Sequence, residues 1–498
     1  MRVDIRPVSR LRGSEPVDAA AVLGPVIRAA CEGAADPARV RLACDWIQYR
    51  HNFRGVLDDR PVLAPPAPVP DGGPDTAEPA EAALELALDL RRCPGEDLAT
   101  LAKEALAGRA RPDGDGRVPL EPWCAGRDSL IWRFNALYWQ ELAAWEQATG
   151  AEYERALPGG RSDARDDRAV TELIGDLFAT WDALDDRGEL PEELFVVELG
   201  VGNGNQARAW LDAFARLDHE HGRGYYRRLH YLMGDYSAHV LERARRAVAG
   251  HAEHVSSLVL DATRPAVSLG FLRRKVFCVY ISNVYDNLPT DEVARIDGRT
   301  YRVEARAYLP AADAERIART LDVPAAALPG LVDKLLRLGP GLLADAAPYA
   351  FAAADAGIAF WRDAWSALRL RERYVRLEDP DAYVIAPGLT GAELAPLLDA
   401  EGDVRMHVSN GAAGSFAETL PLLHPHGRLH CHDLFVTETA AYRTGFRGPG
   451  KYDGSVVNWI NGPLLWRIGD ARGVDVAFLP FAARPGAAIK TLTARPRP

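Results

Sequence analysis

The sequence predicts an α/β protein built on a doubly wound, mostly parallel sheet, with an N-terminal helical region and a helical insertion. Three observations carry that prediction. Short apolar runs alternate with helical stretches from Phe195 onward, the pattern of β-α-β units whose strands are covered on both faces. A glycine-rich turn, with Gly200, Gly202 and Gly204, follows the first of these runs directly. A long interval from Ala305 to Glu401, rich in Ala, Leu, Arg and Pro at helical spacing, separates the fourth run from the fifth.

The individual elements follow from the same patterning. Phe195–Leu199, Leu229–Met233, Leu258–Leu260 and Val276–Ile281 read as the first four strands, and Val404–Ser409, Arg428–Val436, Val474–Leu479 and Ile489–Thr493 as those that complete the sheet. Upstream, Val17–Tyr49 and Ala80–Ala107 show apolar residues at three- and four-residue spacing and are predicted helical. Between them Pro61–Pro79, with Pro65-Pro66 and Gly72-Gly73-Pro74, is predicted to be an exposed loop. Asp128 is predicted to open a helix whose Leu130, Ile131, Phe134, Leu137, Tyr138, Leu142 and Trp145 share one side and which Gly150 ends. Their expected role is core packing. A further helix, Ala169–Leu184, leads into the first core strand. The resulting division is 1–125 as an N-terminal, mostly helical region, 126–304 as the first part of the core, 305–401 as the insertion and 402–498 as the second part. A chain of 498 residues exceeds what one core usually supports.

Composition excludes several functions. With a net charge of −11 and a pI near 5.6, the chain lacks the clustered cations that displace counterions from a nucleic acid. Cys31, Cys44, Cys93, Cys124, Cys278 and Cys431 form no C-x-x-C pair, which argues for a reducing compartment. The amino terminus has no apolar signal core and no stretch has the length of a membrane span. The expectation is a cytoplasmic protein without nucleic-acid or membrane partners, its oligomeric state left open.

The chemistry centres on Phe195 to Gly204, where Glu198 ends a strand and three alternating glycines form the turn into the next helix. Such a turn lets a ligand approach the backbone, while the helix directs its amide dipoles there. Asp235 follows the second strand and can accept both hydroxyl hydrogens of a ribose; Tyr236 is its neighbour. Asp261 follows the third strand and can accept from an adenine amino group. A G-x-G-x-x-G dinucleotide turn is not met, because Asn205 stands where its third glycine belongs, and Asp235 lies beyond the usual interval. The turn therefore points to S-adenosyl-L-methionine rather than a nicotinamide dinucleotide.

Several segments resemble the MidA-like methyltransferases, a family that includes a mitochondrial assembly factor for respiratory complex I. Glu198-Leu-Gly-Val-Gly-Asn-Gly204 resembles the family's E-L-G-P-G-R-G loop, and Leu173-Ile-Gly-Asp-Leu-Phe-Ala-Thr-Trp181 its L-F-G-E-L-L-A-x-W helix. Asp235-Tyr-Ser237 stands at E-V-S, Val279 to Pro289 resembles I-F-A-N-E-F-F-D-A-L-P, and Gly427 to Phe435 resembles the strand ending in D-Y-G. The similarity covers roughly residues 165–300 and 400–480. It implies a Rossmann-like class I fold, S-adenosyl-L-methionine as cofactor and protein arginine methylation. Asn283 departs from the family's glutamate, and a guanidinium prefers a carboxylate, which weakens arginine as the acceptor.

Methyl transfer from a sulfonium needs mainly positioning, exclusion of water and deprotonation of the acceptor where necessary. Ser282, Asn283, Tyr285 and Asp286 lie just beyond the fourth strand; Ser282 is a cofactor-side candidate, and Asn283, Tyr285 and Asp286 are catalytic candidates. Asp286 matches the family's F-F-D aspartate, with a turn cap as its structural alternative. His424, His426, His430 and His432 cluster around Cys431 without a second ligand pair, so no metal is expected; Asp433 is expected to be structural. The predicted function is methyl transfer from S-adenosyl-L-methionine to a peptide, protein or small-molecule acceptor. A catalytically silent protein of the same fold, binding a partner through its insertion, is the alternative.

Overall fold

The computed structural model describes residues 1–5, 19–34, 36–45, 47, 49, 51–64, 81–109, 117–153, 167–400, 402–443, 448–481 and 486–497. Two large sheets organise the chain.

The first has seven strands: β1 (Leu194–Leu199), β2 (Leu229–Asp235), β3 (Val255–Val259), β4 (Val276–Ser282), β5 (Leu423–Asp433), β6 (Val474–Pro480) and β7 (Lys490–Pro496). Their spatial order is β3-β2-β1-β4-β5-β7-β6. β1 to β5 pair in parallel, whereas β7 runs antiparallel to both β5 and β6, so the sheet is mixed. From β1 the chain steps outward to β3, then returns past β1 to β4. The β1/β4 boundary is therefore the point where the winding reverses, and open α/β sheets bind ligands in the crevice outside the strand ends there.

Alternation along the strands explains the double cover. Val196, Tyr231, Met233, Cys278 and Tyr280 face one core, which they share with helices α1 (Asp167–Asp185), α2 (Asn205–His221) and α3 (Ala238–Ala247). Val197, Leu199, Leu232, Val279, Ile281 and Leu429 face the other, shared with α4 (Asn410–Thr419) and α5 (Gly462–Ala471). Each fully buried Leu, Val or Ile removes apolar area worth about 1.5–3 kcal/mol. On α1 the buried Trp181 meets Phe277 of β4 edge-on, ring centroids 5.6 Å apart, and so fixes that helix to the sheet.

Among the described residues the second sheet has ten strands, and it overturns four expectations. The described part of 1–125 is not mostly helical: Arg2–Ile5, Val40–Asp45, Leu57–Leu63 and Glu81–Asp89 are strands beside the helices Ala19–Gly33 and Leu98–Arg109. Glu81–Asp89 is composed largely of good helix formers, yet every residue from Leu84 to Asp89 is buried, Leu84, Leu86 and Leu88 in one apolar core, and the strand pairs on both sides. Pairing and burial override propensity there. Pro61 likewise stands inside a strand, opposite Leu84, while 65–79 of the predicted loop lie outside the described residues.

The interval from Ala305 to Glu401 is not wholly helical either. Ala311–Thr320, Leu328–Leu338 and Ala354–Ala367 form one helical excursion between two long antiparallel strands, Arg299–Leu309 and Arg369–Arg376. Val404–His407 does not join the core sheet; it pairs with Glu292–Ile296 at an edge of the second sheet, where Arg405 bonds to Glu292. The excursion's helices pack on Leu130–Gln140 and Leu142–Thr149, two helices where one was expected, because the chain leaves helical geometry at Glu141 (φ −104°, ψ 26°). Glu121, rather than Asp128, caps the first: its carboxylate accepts from Ser129 Oγ at 2.8 Å and Leu130 N at 2.7 Å. The anticipated apolar stripe from Leu130 to Trp145 is buried throughout, and Gly150 ends the second helix at φ 67°.

Candidate active site at the glycine turn

The turn after β1 is made possible by its glycines. Gly200, Gly202 and Gly204 have φ of 75°, 57° and 78°, a region that side chains disfavour. Each also lacks room for a side chain. A Cβ on Gly200 would collide with Val284, one on Gly202 would stand 2.7 Å from the Tyr153 hydroxyl, and one on Gly204 2.6 Å from Ala244 Cα in α3. The amides of Gly200 and Val201 bond to Gly234 O at 2.8 and 3.1 Å, which folds the turn over β2. α2 starts at Asn205, with Gly204 as its N-cap, so the positive end of its dipole lies at the turn.

Asp235 ends β2 beside this turn. Its carboxylate accepts from Gly202 N and Ser237 N, both at 3.1 Å. Burial, opposed by those amide bonds, pushes its pKa up to about 6. The backbone carbonyl of Asp235 accepts from Leu260 N at 3.0 Å, bringing the β3 end alongside. Asp261 follows, exposed, its Oδ1 accepting from Thr263 N at 2.8 Å and Thr263 Oγ1 at 2.7 Å. Tyr236 is 43% exposed and its hydroxyl accepts from Gln140 Nε2 at 3.2 Å. The turn and Asp235 are thus joined directly, with Tyr236 next to Asp235 and Asp261 just past the strand end that the Asp235 carbonyl holds.

Glu198 does not open into the crevice. The side chain is buried, Tyr231 donates to its Oε2 at 2.7 Å, and desolvation pushes its pKa up to about 8. It supports the turn from inside the core.

Beyond β4 the chain turns sharply. Ser282 is half-buried at the strand end, opposite His432 of β5, and Asn283 takes φ 52° while its amide bonds to His432 O at 3.0 Å. Asn tolerates that conformation better than most residues. The next three amides, of Val284, Tyr285 and Asp286, all donate to Asp433 Oδ2, at 3.1, 2.9 and 3.3 Å, and Leu434 N donates to its Oδ1 at 2.8 Å. Four amide donors stabilise a charged carboxylate. Burial and then the neighbouring Asp433 push the Asp286 carboxyl well above the ordinary range, so Asp286 carries the proton of this pair. Tyr285 is buried in the apolar core. Of the four strand-end candidates, Ser282 and Asn283 are half-buried, whereas Tyr285 and Asp286 are buried and their amides are tied to Asp433.

Sequence reading missed Tyr153, Gln140 and Val284, which contact the turn or its flank. Tyr153 N donates to Glu146 Oε1 at 3.0 Å, and Glu146 also pairs with Arg243 of α3 at 2.8 Å. No spacing marks these contacts, since they arise where separate elements meet. Among the described residues no group of His, Cys, Asp and Glu is arranged to hold a metal, and His432 Nδ1 instead bonds to Thr491 Oγ1 at 2.9 Å. Nor is any described helix long and apolar enough to cross a membrane.

No family model and no curated protein matches the chain. Similarity is found among solved structures. A superfamily member from Burkholderia thailandensis, a candidate methyl transferase bound to S-adenosyl-homocysteine, is 14% identical, with 75% of this chain and 88% of that one covered and a TM-score of 0.45. A second superfamily protein from the same organism is 15% identical, with 73% and 92% covered and a TM-score of 0.39. The 1,6-didemethyltoxoflavin-N1-methyltransferase of B. thailandensis, with its substrate and S-adenosylhomocysteine bound, is 10% identical over 77% and 95%, with a TM-score of 0.28.

Proposed function

We propose that the chain is an S-adenosyl-L-methionine-dependent methyltransferase whose cofactor lies on the Gly200–Gly204 turn. One observation carries the reading: three positive-φ glycines, each closed to a side chain by a neighbouring group, sit at the reversal point of the sheet beside a carboxylate tied to the turn itself. A turn so stripped of side chains presents backbone to a ligand. In this reading Asp235 accepts from the ribose hydroxyls, Asp261 from the adenine amino group, and Tyr236 and Ser282 flank the cofactor; Glu198 acts from beneath, through Tyr231.

The cofactor supplies the chemistry, a methyl group already activated on a sulfonium. The chain's residues orient and exclude water. Asp433 is a positioning residue: by gathering three consecutive amides it sets the segment that places Asn283 beside the crevice and Val284 against Gly200. Asp286, buried and protonated, stiffens that segment and is poorly placed to take the acceptor's proton. An acceptor that needs no strong base, and that is not a guanidinium requiring a buried counterion, fits this lining best. A small molecule and a peptide side chain both meet that condition. The insertion helices bear on the acceptor side through the Leu130–Thr149 pair that they support, in line with a role in substrate choice.

Calorimetry with S-adenosyl-L-methionine, S-adenosylhomocysteine and NAD tests the cofactor, with either of the first two expected to bind in preference. Binding of NAD alone would overturn the proposal. Mass-spectrometric screening for a methylated acceptor then separates an active enzyme from a silent binding protein.

A further inference from the structure

We propose that a second site, sharing no residue with the glycine crevice, binds a small polyanion carrying phosphoryl or carboxylate groups. The site is a cleft of about 1130 Å³ between the N-terminal strands and the helix Ala354–Ala367. His51, Arg91, Arg92, Arg362, Arg369 and the buried Lys451 line it.

Arg92, Arg362, Arg369 and Lys451 are held in place by backbone carbonyls rather than by carboxylates. Arg92 Nη1 donates to Arg54 O at 2.7 Å, and Arg362 Nη1 to Ala148 O at 3.3 Å. Arg369 Nη1 donates to the carbonyls of Ser366, Ala367 and Leu368 at 3.0, 3.4 and 3.0 Å. Lys451 Nζ donates to those of Trp365, Ser366 and Leu368 at 2.5, 3.0 and 2.8 Å. Among the described residues, no carboxylate comes within ion-pair distance of Arg92, Arg362, Arg369 or Lys451. Carbonyls orient a cation but carry only partial charge; a helix C-terminus supplies about half an elementary charge, too little for the two cations gathered on it.

Three carboxylates also line the cleft, yet two are engaged elsewhere. Asp453 accepts from Tyr138 at 3.0 Å and Trp145 at 3.1 Å, and Asp363 faces Arg316 at 3.5 Å. Glu96 is exposed. Four guanidiniums and the Lys451 amine thus gather in a chain that has 70 acidic residues against 59 basic ones. They also crowd one another. Three carbonyl acceptors call on all three hydrogens of the Lys451 ammonium, while burial and then the charge of Arg369 push its pKa well below the ordinary lysine value. An anion resolves that conflict. Guanidinium forks match phosphoryl and carboxylate oxygens, and the volume suits an organic molecule better than a lone ion.

The test uses the full-length protein with two probes, inorganic pyrophosphate and citrate, titrated by calorimetry at low salt. At least one is expected to bind with a Kd below 1 mM, and their order distinguishes a phosphoryl from a carboxylate ligand. Replacing the exposed Arg91 and Arg362 together (R91E/R362E) should weaken that binding at least tenfold while leaving the Tm within about 2 °C. Ser366→Glu, which puts a carboxylate beside Lys451 and Arg369, should abolish binding and raise the Tm. The proposal is overturned if neither probe binds below 1 mM, if the double variant retains parental affinity, or if Ser366→Glu binds as the parent does.

Discussion

The two sheets solve the same packing problem with opposite chemistry. The seven-stranded sheet lies between two apolar cores, and the polar groups near its strand ends serve the crevice or brace it. The ten-stranded sheet buries ions. Glu372 meets Arg405 at 2.9 Å and Arg60 at 3.0 Å and also bonds to Arg54; Arg405 bonds to Glu292; Glu85 takes Arg60 at 2.9 Å and the Tyr374 hydroxyl at 2.7 Å. These residues come from the N-terminal strands and from strands far along the chain. Apolar packing tolerates sliding. A buried ionic network accepts one register only, which makes it a device for joining the N-terminal strands to the rest.

The strongest way to break that contrast is to remove the network's centre. Glu372→Gln takes from Arg54, Arg60 and Arg405 the carboxylate that all three share and is expected to cost about 3–5 kcal/mol of stability, read by denaturant unfolding. A loss below 1 kcal/mol would mean the network is solvated and the contrast false. Burial works to raise the Glu372 pKa, but Arg405, Arg54 and Arg60 outweigh it and bring it down to about 2 from 4.5. The folded state therefore gains from its charge: that stability is complete above about pH 4.5 and is lost as pH falls toward 2.

In the other sheet the largest effect is expected at Gly204. Gly204→Ala must hold φ 78° and meet Ala244 Cα at 2.6 Å, and it should cost about 2–4 kcal/mol, the sum of a left-handed residue and an overpacked contact. Cofactor affinity should fall with it. Parental stability in a thermal melt would show that the turn and α3 separate easily.

Asp235→Ala comes next. Losing a charged acceptor should weaken binding of S-adenosyl-L-methionine by about 1.5–3 kcal/mol in calorimetry. Unchanged affinity would remove Asp235 from the site.

The contrast also explains what the sequence could disclose. β1, β2 and β4 were legible because a strand covered on both faces is a continuous apolar run, and the glycine turn because its φ values demand glycine. Glu81–Asp89 and Arg369–Arg376 were not, since their inward residues include Glu85 and Glu372, whose partners stand elsewhere in the chain. Polarity in such a strand looks like a solvated face. For the same reason the strand-end carboxylates could be placed near a crevice, while the Asp286–Asp433 pair could not be told from a solvent-facing one.

The smallest effect sharpens the comparison from inside the apolar sheet, where Glu198 is a buried acid with a neutral hydroxyl partner rather than a cation. Desolvation, only partly offset by Tyr231, raises its pKa from 4.5 to about 8, so the folded protein keeps a proton that the unfolded chain has lost. The sign is opposite to that of Glu372. Stability falls as pH rises from about 4.5 to 8, by at most about 1.4 kcal/mol per pH unit from this group. Glu198→Gln has the shape of the protonated acid and keeps an acceptor for Tyr231, so near pH 5 its stability should lie within about 0.5 kcal/mol of the parent. By pH 8 the variant should be the more stable of the two, its unfolding free energy declining less steeply. Parallel pH profiles for the two proteins would show that Glu198 is charged when folded, and that a cation or water supports it beneath the turn.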